Sequence, residues 1–308
     1  MTDWREWRAR LLRASGIYRR RLQRRPFDGV AILAYHGVRD DSLPRSAMQG
    51  AELHVGARRL AEHCEVLREL CTPITAAQFL AAARDGRPLP PRAVLLTFDD
   101  GYASWRSHAL PMLERFEVPA VMFLCTDPIA RGVRFWFDAV AEQQGPAAVA
   151  AMKRLPYAAW RAAAGRCEMA ARPGDPHAPL TVDDVRALAS SPLVELGGHT
   201  VTHPILANAS AAEQQVEVEG CARAIAAWTG TPPRLFAYPN GRPGVDYSPE
   251  TVSLVRATFD DAFAVGDAFA CPPRHAGEHR RFLMLDSVSG AELAHRLAGA
   301  WRRTGAVA

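Results

Sequence analysis

The sequence predicts an α/β fold of the barrel type. Short apolar segments typical of strands alternate with helix-forming segments along most of the 308 residues, a pattern typical of βαβ units and a parallel sheet. About seven strands in roughly 280 residues favour a barrel over an open sheet. No G-x-G-x-x-G motif follows the first strand, so a dinucleotide-binding fold has no support.

The elements follow in order along the chain. The predicted strands are GVAILAYHG (29–37), RAVLLTF (92–98), PAVMFLC (119–125), LVEL (193–196), RLFAYP (234–239) and DAFAV (261–265). The predicted helices cover residues 56–70, 74–86, 108–118, 181–190, 209–230, 248–258 and 290–299, together with an alanine-rich helical insertion over about 138–172. Gly86 and Gly230 act as helix stop signals, and Thr181 is a plausible N-cap.

Residues 1–25 predict a basic amphipathic helix. Apolar residues recur there at three- and four-residue steps, at Trp4, Trp7, Leu11, Ala14, Tyr18 and Leu22. Nine arginines against two acids give this segment a net charge of +7, whereas the whole chain carries +4. Two interpretations stay open. Either the helix lies at a membrane interface with arginines on anionic headgroups, or it packs on the body with a solvated basic face.

The amino-acid composition and the distribution of charge exclude several classes of protein. With 48% hydrophobic and 23% charged residues, the chain is typical of a globular protein. Because the basicity is confined to the N-terminal segment, we expect no nucleic-acid partner. Six scattered cysteines without a C-x-x-C pair indicate buried thiols in a reducing compartment. Without a membrane-spanning segment or a signal-peptide h-region, the expected location is cytoplasmic, with peripheral contact to the inner membrane face through residues 1–25 as an option.

The segment AVLLTFDDG (93–101) places two carboxylates at the end of a buried strand. Asp99 and Asp100 are adjacent, so their side chains diverge, and one can bind a cation while the other faces a substrate. Gly101 lets the chain turn away without placing a side chain in the cleft. The alternative is that the pair caps the next helix.

A second predicted strand end carries two histidines. In LVELGGHTVTH (193–203), one helical turn would set His199 and His203 on one face. Two histidines and a carboxylate with an open fourth position match a catalytic zinc site, although two loop histidines without a metal are the alternative. The H-E-x-x-H pattern does not fit, because Thr200 occupies the glutamate position. A base must therefore come from elsewhere, and Asp99 is the candidate.

TFDDG together with HTVTH closely resembles the polysaccharide deacetylases of carbohydrate esterase family 4, which share the NodB homology domain. The resemblance extends over about residues 27–290 and includes AYHGV, PAVMFL, FAYPNG (236–241) and the pair Trp136 and Asp138. It implies a distorted (β/α)7-type barrel and a single catalytic domain over 26–308. It also implies a metal-dependent hydrolase.

Residue roles follow from this resemblance. Asp99 is implied as the general base and Asp100, His199 and His203 as metal ligands. The backbone N–H of Asn240 is implied as a donor to the oxyanion. Zn²⁺ is the expected metal, although a His₂Asp site also accepts Co²⁺, Ni²⁺ or Fe²⁺.

The acid for the leaving amine departs from the usual family pattern. That pattern has a histidine in L-x-x-H near the C-terminus, but Glu292 replaces the leucine here. His36, in LAYHGVRDD, resembles the poly-N-acetylglucosamine deacetylase branch with an early Tyr-His motif, and is the expected acid. A histidine beside a metal and a carboxylate can hold a proton near neutral pH. A structural histidine in a turn is the alternative.

Other positions are less specific. Ala237 stands where the usual third motif has the arginine that braces the catalytic Asp, so the partner of Asp99 is unassigned. Candidate substrate-binding residues are Trp136, Tyr238 and Tyr102, with a place in the core as the alternative for the first two. Asp138 is either a partner of His36 or a helix cap.

The predicted function is removal of an N-acetyl group from an amino sugar, in a glycan or a lipid-linked glycan precursor of exopolysaccharide biosynthesis. A deformylase or a hydrolase of non-sugar linear amides is the alternative enzyme. A catalytically silent membrane-associated scaffold is the alternative of another class, which the intact ligand set disfavours. The expected partner is an N-acetylated carbohydrate, and the sequence does not indicate the oligomeric state.

Overall fold

The computed structural model describes residues 4–44, 50–172, 174–274 and 276–301. Residues 1–3 of the predicted N-terminal helix and residues 302–308 of the predicted catalytic domain lie outside the described residues.

A curled sheet of parallel strands forms the centre of the molecule, which confirms the predicted barrel-type α/β fold. The strands are β1 (Val30–Tyr35), β2 (Val38–Arg39), β3 (Val55–Gly56), β4 (Thr72–Pro73), β5 (Ala93–Phe98), β6 (Ala120–Leu124), β7 (Val194–Gly198), β8 (Leu235–Ala237), β9 (Asp261–Phe263) and β10 (Phe282–Leu283). The main path runs β10-β1-β5-β6-β7-β8-β9, with β4 beside β5 and a separate β2-β3 pair. A parallel bridge between Phe263 and His279 brings the chain before β10 next to β9, so the segment 279–283 connects the two ends of the sheet.

Helices surround this sheet. They are α1 (Trp4–Ala14), α2 (Ile17–Arg24), α3 (Ala57–Leu70), α4 (Ala76–Asp85), α5 (Leu110–Phe116), α6 (Thr126–Arg131), α7 (Trp136–Gln144), α8 (Pro146–Met152), α9 (Tyr157–Arg166), α10 (Val182–Ala189), α11 (Ala211–Thr229), α12 (Pro249–Thr258) and α13 (Gly290–His295). Three of the helix-capping residues predicted from the sequence lie at helix ends in the structure. Thr181 caps α10 through its side chain, and Gly86 and Gly230 end α4 and α11 in left-handed conformations.

The strand register decides where polar residues gather. Both faces of β1 and β5 are fully buried, as expected of parallel strands covered by helices. Tyr35 pairs with Phe98 and Leu124 with Gly198, at the carboxyl ends of their strands. The residues that follow these strands therefore meet at one rim of the sheet, as in other α/β barrels.

The alanine-rich insertion is a group of three helices, α7, α8 and α9. It has a small core of its own, formed by Val140, Met152, Trp160 and Cys167. Because α7 and α8 lie beside the rim, the insertion walls one side of the cavity described below.

The N-terminal segment forms two helices instead of the single predicted helix. Gly16 adopts a left-handed conformation (φ 72°) and separates α1 from α2, where glycine is the residue of lowest strain. The apolar stripe is divided as well. Tyr18 and Leu22 are buried against the body, whereas Trp4 and Trp7 are 64% and 61% exposed. No helix within the described ranges is both long enough and apolar enough to span a bilayer.

The docking of α2 gives a stability prediction. Leu22 has no exposed surface, so Leu22→Ala should lower the free energy of unfolding by about 2–5 kcal/mol through lost burial and a residual cavity. Trp7→Ala, on the exposed face of α1, should change it by less than about 0.5 kcal/mol. Urea unfolding of both variants measures the difference. Equal, small effects would mean that α2 does not pack on the body.

Candidate metal centre and active site

Three side chains from two strand ends converge at the rim of the sheet. His199 Nε2 lies 3.6 Å and His203 Nε2 3.4 Å from the same oxygen of Asp100, Oδ1. These distances exceed those of a hydrogen bond. Two atoms bound to one tetrahedral zinc ion, with bonds of about 2.0–2.1 Å, lie about 3.3 Å apart. The structure thus brings together the three predicted ligands at the spacing that a shared ion requires.

The charge of the three groups also suits a cation. Burial and the neighbouring Asp99 charge raise the pKa of Asp100 well above its usual value. Burial lowers the pKa of His199 and of His203, which keeps both imidazoles neutral, the form that binds metals. A divalent cation would stabilise the Asp100 carboxylate that burial alone disfavours.

The two histidines reach this arrangement without the predicted helical turn. Residues 199–203 form an irregular loop, in which Thr200 and His203 have left-handed φ angles of 69° and 60°. The Nδ1 atom of His199 is 2.7 Å from the carbonyl oxygen of Ala237, so a ring that donates there presents Nε2 toward Asp100. The four-residue spacing therefore acts through a loop and not through a helix face.

A buried carboxylate holds this loop in place. Glu217 on α11 is 1% exposed and accepts hydrogen bonds from the backbone N–H groups of Val201 and Thr202 at 2.9 and 2.8 Å. It also accepts from the hydroxyl groups of Thr202 and Tyr157. No sequence pattern indicated Glu217, because its role depends on the packing of α11 against the loop.

Backbone strain is concentrated at the rim. Four of the six non-glycine residues with positive φ in the described ranges belong to the site: Asp100, Thr200, His203 and Asn240. Such conformations cost free energy and persist where the surrounding structure enforces them, often at functional sites.

The partner of Asp99, which the sequence left unassigned, is Arg281. Its guanidinium group donates from Nη1 to Oδ1 and from Nη2 to Oδ2, both at 2.7 Å. Burial by itself would raise the pKa of Asp99, but the charge and hydrogen bonds of Arg281, together with His199, lower it to about 2. Asp99 is therefore ionised at neutral pH. Arg281 lies just before β10, a strand too short for its apolar pattern to be recognised.

His36 lies at the same rim, after β1. It is partly exposed, and its Nδ1 atom is buried without a hydrogen-bond partner among the described residues. Burial lowers its pKa to about 4, although the Asp99 charge acts in the opposite direction. This direction contradicts the expectation that His36 holds a proton near neutrality in the free protein.

These residues line a cavity of about 490 Å³, within the range of small-molecule sites. Its wall includes His36, Asp99, Asp100, Tyr102, His199, His203, Tyr238, Asn240 and Arg281. Of the three predicted aromatic contacts, Tyr102 and Tyr238 lie in this wall, while Trp136 does not. Trp136 packs on Trp160 and donates from Nε1 to the carbonyl oxygen of His203 at 3.0 Å, so its contact with the site is through the loop backbone.

Lys153 enters the cavity from the insertion, and no sequence pattern indicated it. Its ammonium group donates to Oδ1 of Asn240 at 2.7 Å, and burial lowers its pKa. Asn240 has a φ of 56°, and no hydrogen bond from its backbone N–H to another described residue is seen. Lys153 therefore positions the side chain of the residue predicted as the oxyanion donor.

Comparison with known proteins identifies the family to which this chain belongs. Residues 86–258, more than half of the chain, match the family described as polysaccharide deacetylase. The Escherichia coli (strain K12) protein named poly-β-1,6-N-acetyl-D-glucosamine N-deacetylase is 31% identical over 176 residues, which are 57% of this chain and 21% of that protein. The chain thus spans about a fifth of the length of the curated relatives it matches.

Solved structures share the fold. The Streptococcus pyogenes deacetylase PplD, in complex with acetate, superposes with a TM-score of 0.64 at 17% identity, covering 88% of this chain and 99% of that one. IcaB from Ammonifex degensii gives 0.61 at 19% identity, covering 89% and 99%. The deacetylase domain of Bordetella bronchiseptica BpsB gives 0.55 at 25% identity, covering 83% and 95%.

The buried pair of Arg281 and Asp99 gives a second stability prediction. Arg281→Met should lower the free energy of unfolding by about 3–5 kcal/mol, because it leaves a buried carboxylate without its cation. Adding Asp99→Asn should recover part of that loss, so the double variant should be more stable than the sum of the single effects predicts. Urea unfolding of the three variants measures the coupling. Arg280→Met, at the exposed neighbouring position, is the matched control, and additive single effects would argue against the pair.

Proposed function

Because the chain belongs to the polysaccharide deacetylase family, we propose that it hydrolyses the N-acetyl amide of an amino sugar in a glycan. The observation that carries this proposal is the convergence of Asp99 with the three candidate ligands Asp100, His199 and His203 in one cavity. The curated Escherichia coli relative is named for poly-β-1,6-N-acetyl-D-glucosamine, so β-linked N-acetylglucosamine is the first substrate class to test.

Asp100, His199 and His203 are the residues that would hold a divalent ion. When bound, such an ion lowers the pKa of water toward about 7 and polarises a carbonyl group. The ionised Asp99 accepts a proton from the water that attacks the acetamide carbon. The N–H of Asn240 donates to the carbonyl oxygen as it gains negative charge. The C–N bond then breaks, giving a free amine and acetic acid, which ionises to acetate by releasing a proton to solvent.

The leaving nitrogen needs a proton, and His36 is the proposed donor. A pKa of about 4 means that this imidazole is neutral before the reaction, so it must gain the proton during turnover. Asp99, whose charge acts on His36, is the group that has just accepted one from water. We therefore propose that the proton removed from water passes from Asp99 through His36 to the amine nitrogen, which leaves the proton count balanced.

The test is acetate release from oligomers of β-1,6-linked N-acetylglucosamine, with N-formyl sugars and non-sugar acetamides in parallel. Asp99→Asn should reduce kcat at least about 100-fold, since general-base catalysis contributes about 10²–10⁴-fold. His199→Ala should lower both metal content and turnover, and a chelator should abolish turnover reversibly. His108→Gln, whose side chain does not line the cavity, should behave as the unmodified chain.

The outcomes separate the alternatives. Faster amine release from N-formyl substrates would favour a deformylase. Turnover that survives in Asp99→Asn with metal bound would remove Asp99 as the base. No turnover on any substrate by a protein with full metal content would favour the silent scaffold.

A separate feature supports membrane contact through α1 and α2, as an extension of the proposed function. Trp4, Trp7 and Leu11 share one face of α1 and are 64%, 61% and 48% exposed. Exposed arginines lie on the same helices and at the end of α2, at Arg8, Arg10, Arg19, Arg20, Arg21, Arg24 and Arg25. Exposed tryptophans beside arginines fit the boundary of an anionic bilayer. We propose that this surface binds anionic lipid headgroups.

Vesicle co-sedimentation tests this surface. The protein should bind vesicles containing phosphatidylglycerol, and binding should weaken as salt is added, since the interaction is partly electrostatic. Trp4→Ala/Trp7→Ala should release it, while Val216→Ala, an exposed apolar side chain on α11, should not. Equal binding of the double variant and the unmodified chain would contradict the proposal.

A further inference from the structure

A second group of buried ligand-type side chains lies beside the candidate metal centre. His54, Asp138 and His177 are 2%, 5% and 2% exposed, and one ligand atom from each lies within 4.8 Å of the others. They come from three separate parts of the chain: the residues before β3, the first turn of α7 and the segment between α9 and α10. His54 and Asp138 also line the catalytic cavity.

The spacing between His177 and Asp138 is that of two metal ligands and not of a hydrogen bond. His177 Nδ1 lies 3.4 Å from Asp138 Oδ2, beyond hydrogen-bond range and close to the separation of about 3.3 Å between two ligands of one tetrahedral ion. The distance equals that between His203 and Asp100 in the first centre. The rings of His54 and His177 stand nearly perpendicular, with centroids 5.3 Å apart, and so do not stack.

The outer contacts support the same conclusion. The Tyr102 hydroxyl donates to Asp138 Oδ2 at 2.8 Å, the kind of bond that orients a ligating carboxylate. The Nδ1 atom of His54 is buried without a hydrogen-bond partner in the described part of the chain. This nitrogen lies beside Gly37, and a buried nitrogen is normally satisfied by a partner.

Charge balance gives an independent reason for a cation. Asp100 and Asp138 are both buried at one cavity, and the negative charge of Asp138 acts on Asp100. Asp99 has Arg281 as its partner, but no lysine or arginine of the described residues forms an ion pair with Asp138 or Asp100. Buried carboxylates are expected to be paired with a cation or to coordinate a metal.

We propose that His54, Asp138 and His177 form a second divalent-cation site, distinct in its ligands from the catalytic centre. Two imidazoles and a carboxylate suit Zn²⁺ best among the abundant divalent ions. The bound ion would connect the segment before β3, the first turn of α7 and the segment between α9 and α10. This site goes beyond the proposed deacetylation and needs none of its steps.

Metal stoichiometry tests the proposal. The full chain, dialysed against buffered Zn²⁺ and analysed by plasma mass spectrometry, should carry two equivalents of zinc. His177→Ala and His199→Ala should each carry one, and the double variant none. His108→Ala is the matched histidine control and should carry two. One equivalent in the unmodified chain, lost in His199→Ala but kept in His177→Ala, would overturn the second site and leave the first intact.

A thermal measurement keeps the test decisive if His177→Ala folds poorly. A ligand that binds only the folded state stabilises it by RT ln(1 + [L]/Kd), and so raises Tm once its concentration exceeds Kd. In the His199→Ala background, with the first centre disabled, added Zn²⁺ should still raise Tm, and Mg²⁺ should not. The rise should disappear when His54→Gln is added. No Zn²⁺-dependent rise in His199→Ala would also overturn the proposal.

Discussion

The site depends on one buried interaction, the paired hydrogen bonds between Arg281 and Asp99. The guanidinium group also donates to Thr97 on β5 and to the carbonyl oxygen of Ala264 just after β9. It therefore ties the segment that joins the two ends of the sheet to the strand that carries both carboxylates. A buried bidentate ion pair has a defined geometry. The position of Asp99 therefore depends on the segment that connects the two ends of the sheet. The hydrogen bonds of Arg281 thus connect the two ends of the sheet and also orient the proposed catalytic base.

The histidine loop shows how a local arrangement is enforced from outside. Its left-handed residues at 200 and 203 are conformations that an isolated peptide rarely adopts. The loop has no internal partners for two of its backbone N–H groups, and Glu217 accepts a hydrogen bond from each of them. The Ala237 carbonyl then sets the direction of the His199 ring. The ligand geometry is thus built by α11 and β8, two elements that carry no metal ligand.

The neighbouring carboxylates of the cavity differ in the group that balances their negative charge. Asp99 is stabilised by a permanent cation from the chain itself, Arg281. Asp100 and Asp138 face histidines at distances too long for hydrogen bonds, and both fit positions where the cation is a metal. Several carboxylates placed close together repel one another, which raises the free energy of the site without a cation. Binding of a metal would remove this repulsion, and the repulsion therefore favours metal binding.

The sequence alone determined the alternating strands and helices, most helix ends and the residues Asp99, Asp100, His199 and His203, because apolar periodicity, capping residues and strand-end motifs are local signals. It did not reveal Arg281, Lys153 or Glu217 as partners of the site, nor that His54 and His177 lie beside Asp138, which the sequence offered as a partner of His36 or a helix cap. Arg281 lies just before a strand too short to recognise, Lys153 directly follows α8, and Glu217 lies on α11, where a polar residue looks solvent-exposed. The three cluster residues are separated by 84 and 39 positions in the chain. Only the tertiary structure decided these contacts, since the parallel register and the helical insertion bring distant residues together and no local pattern records which ones meet.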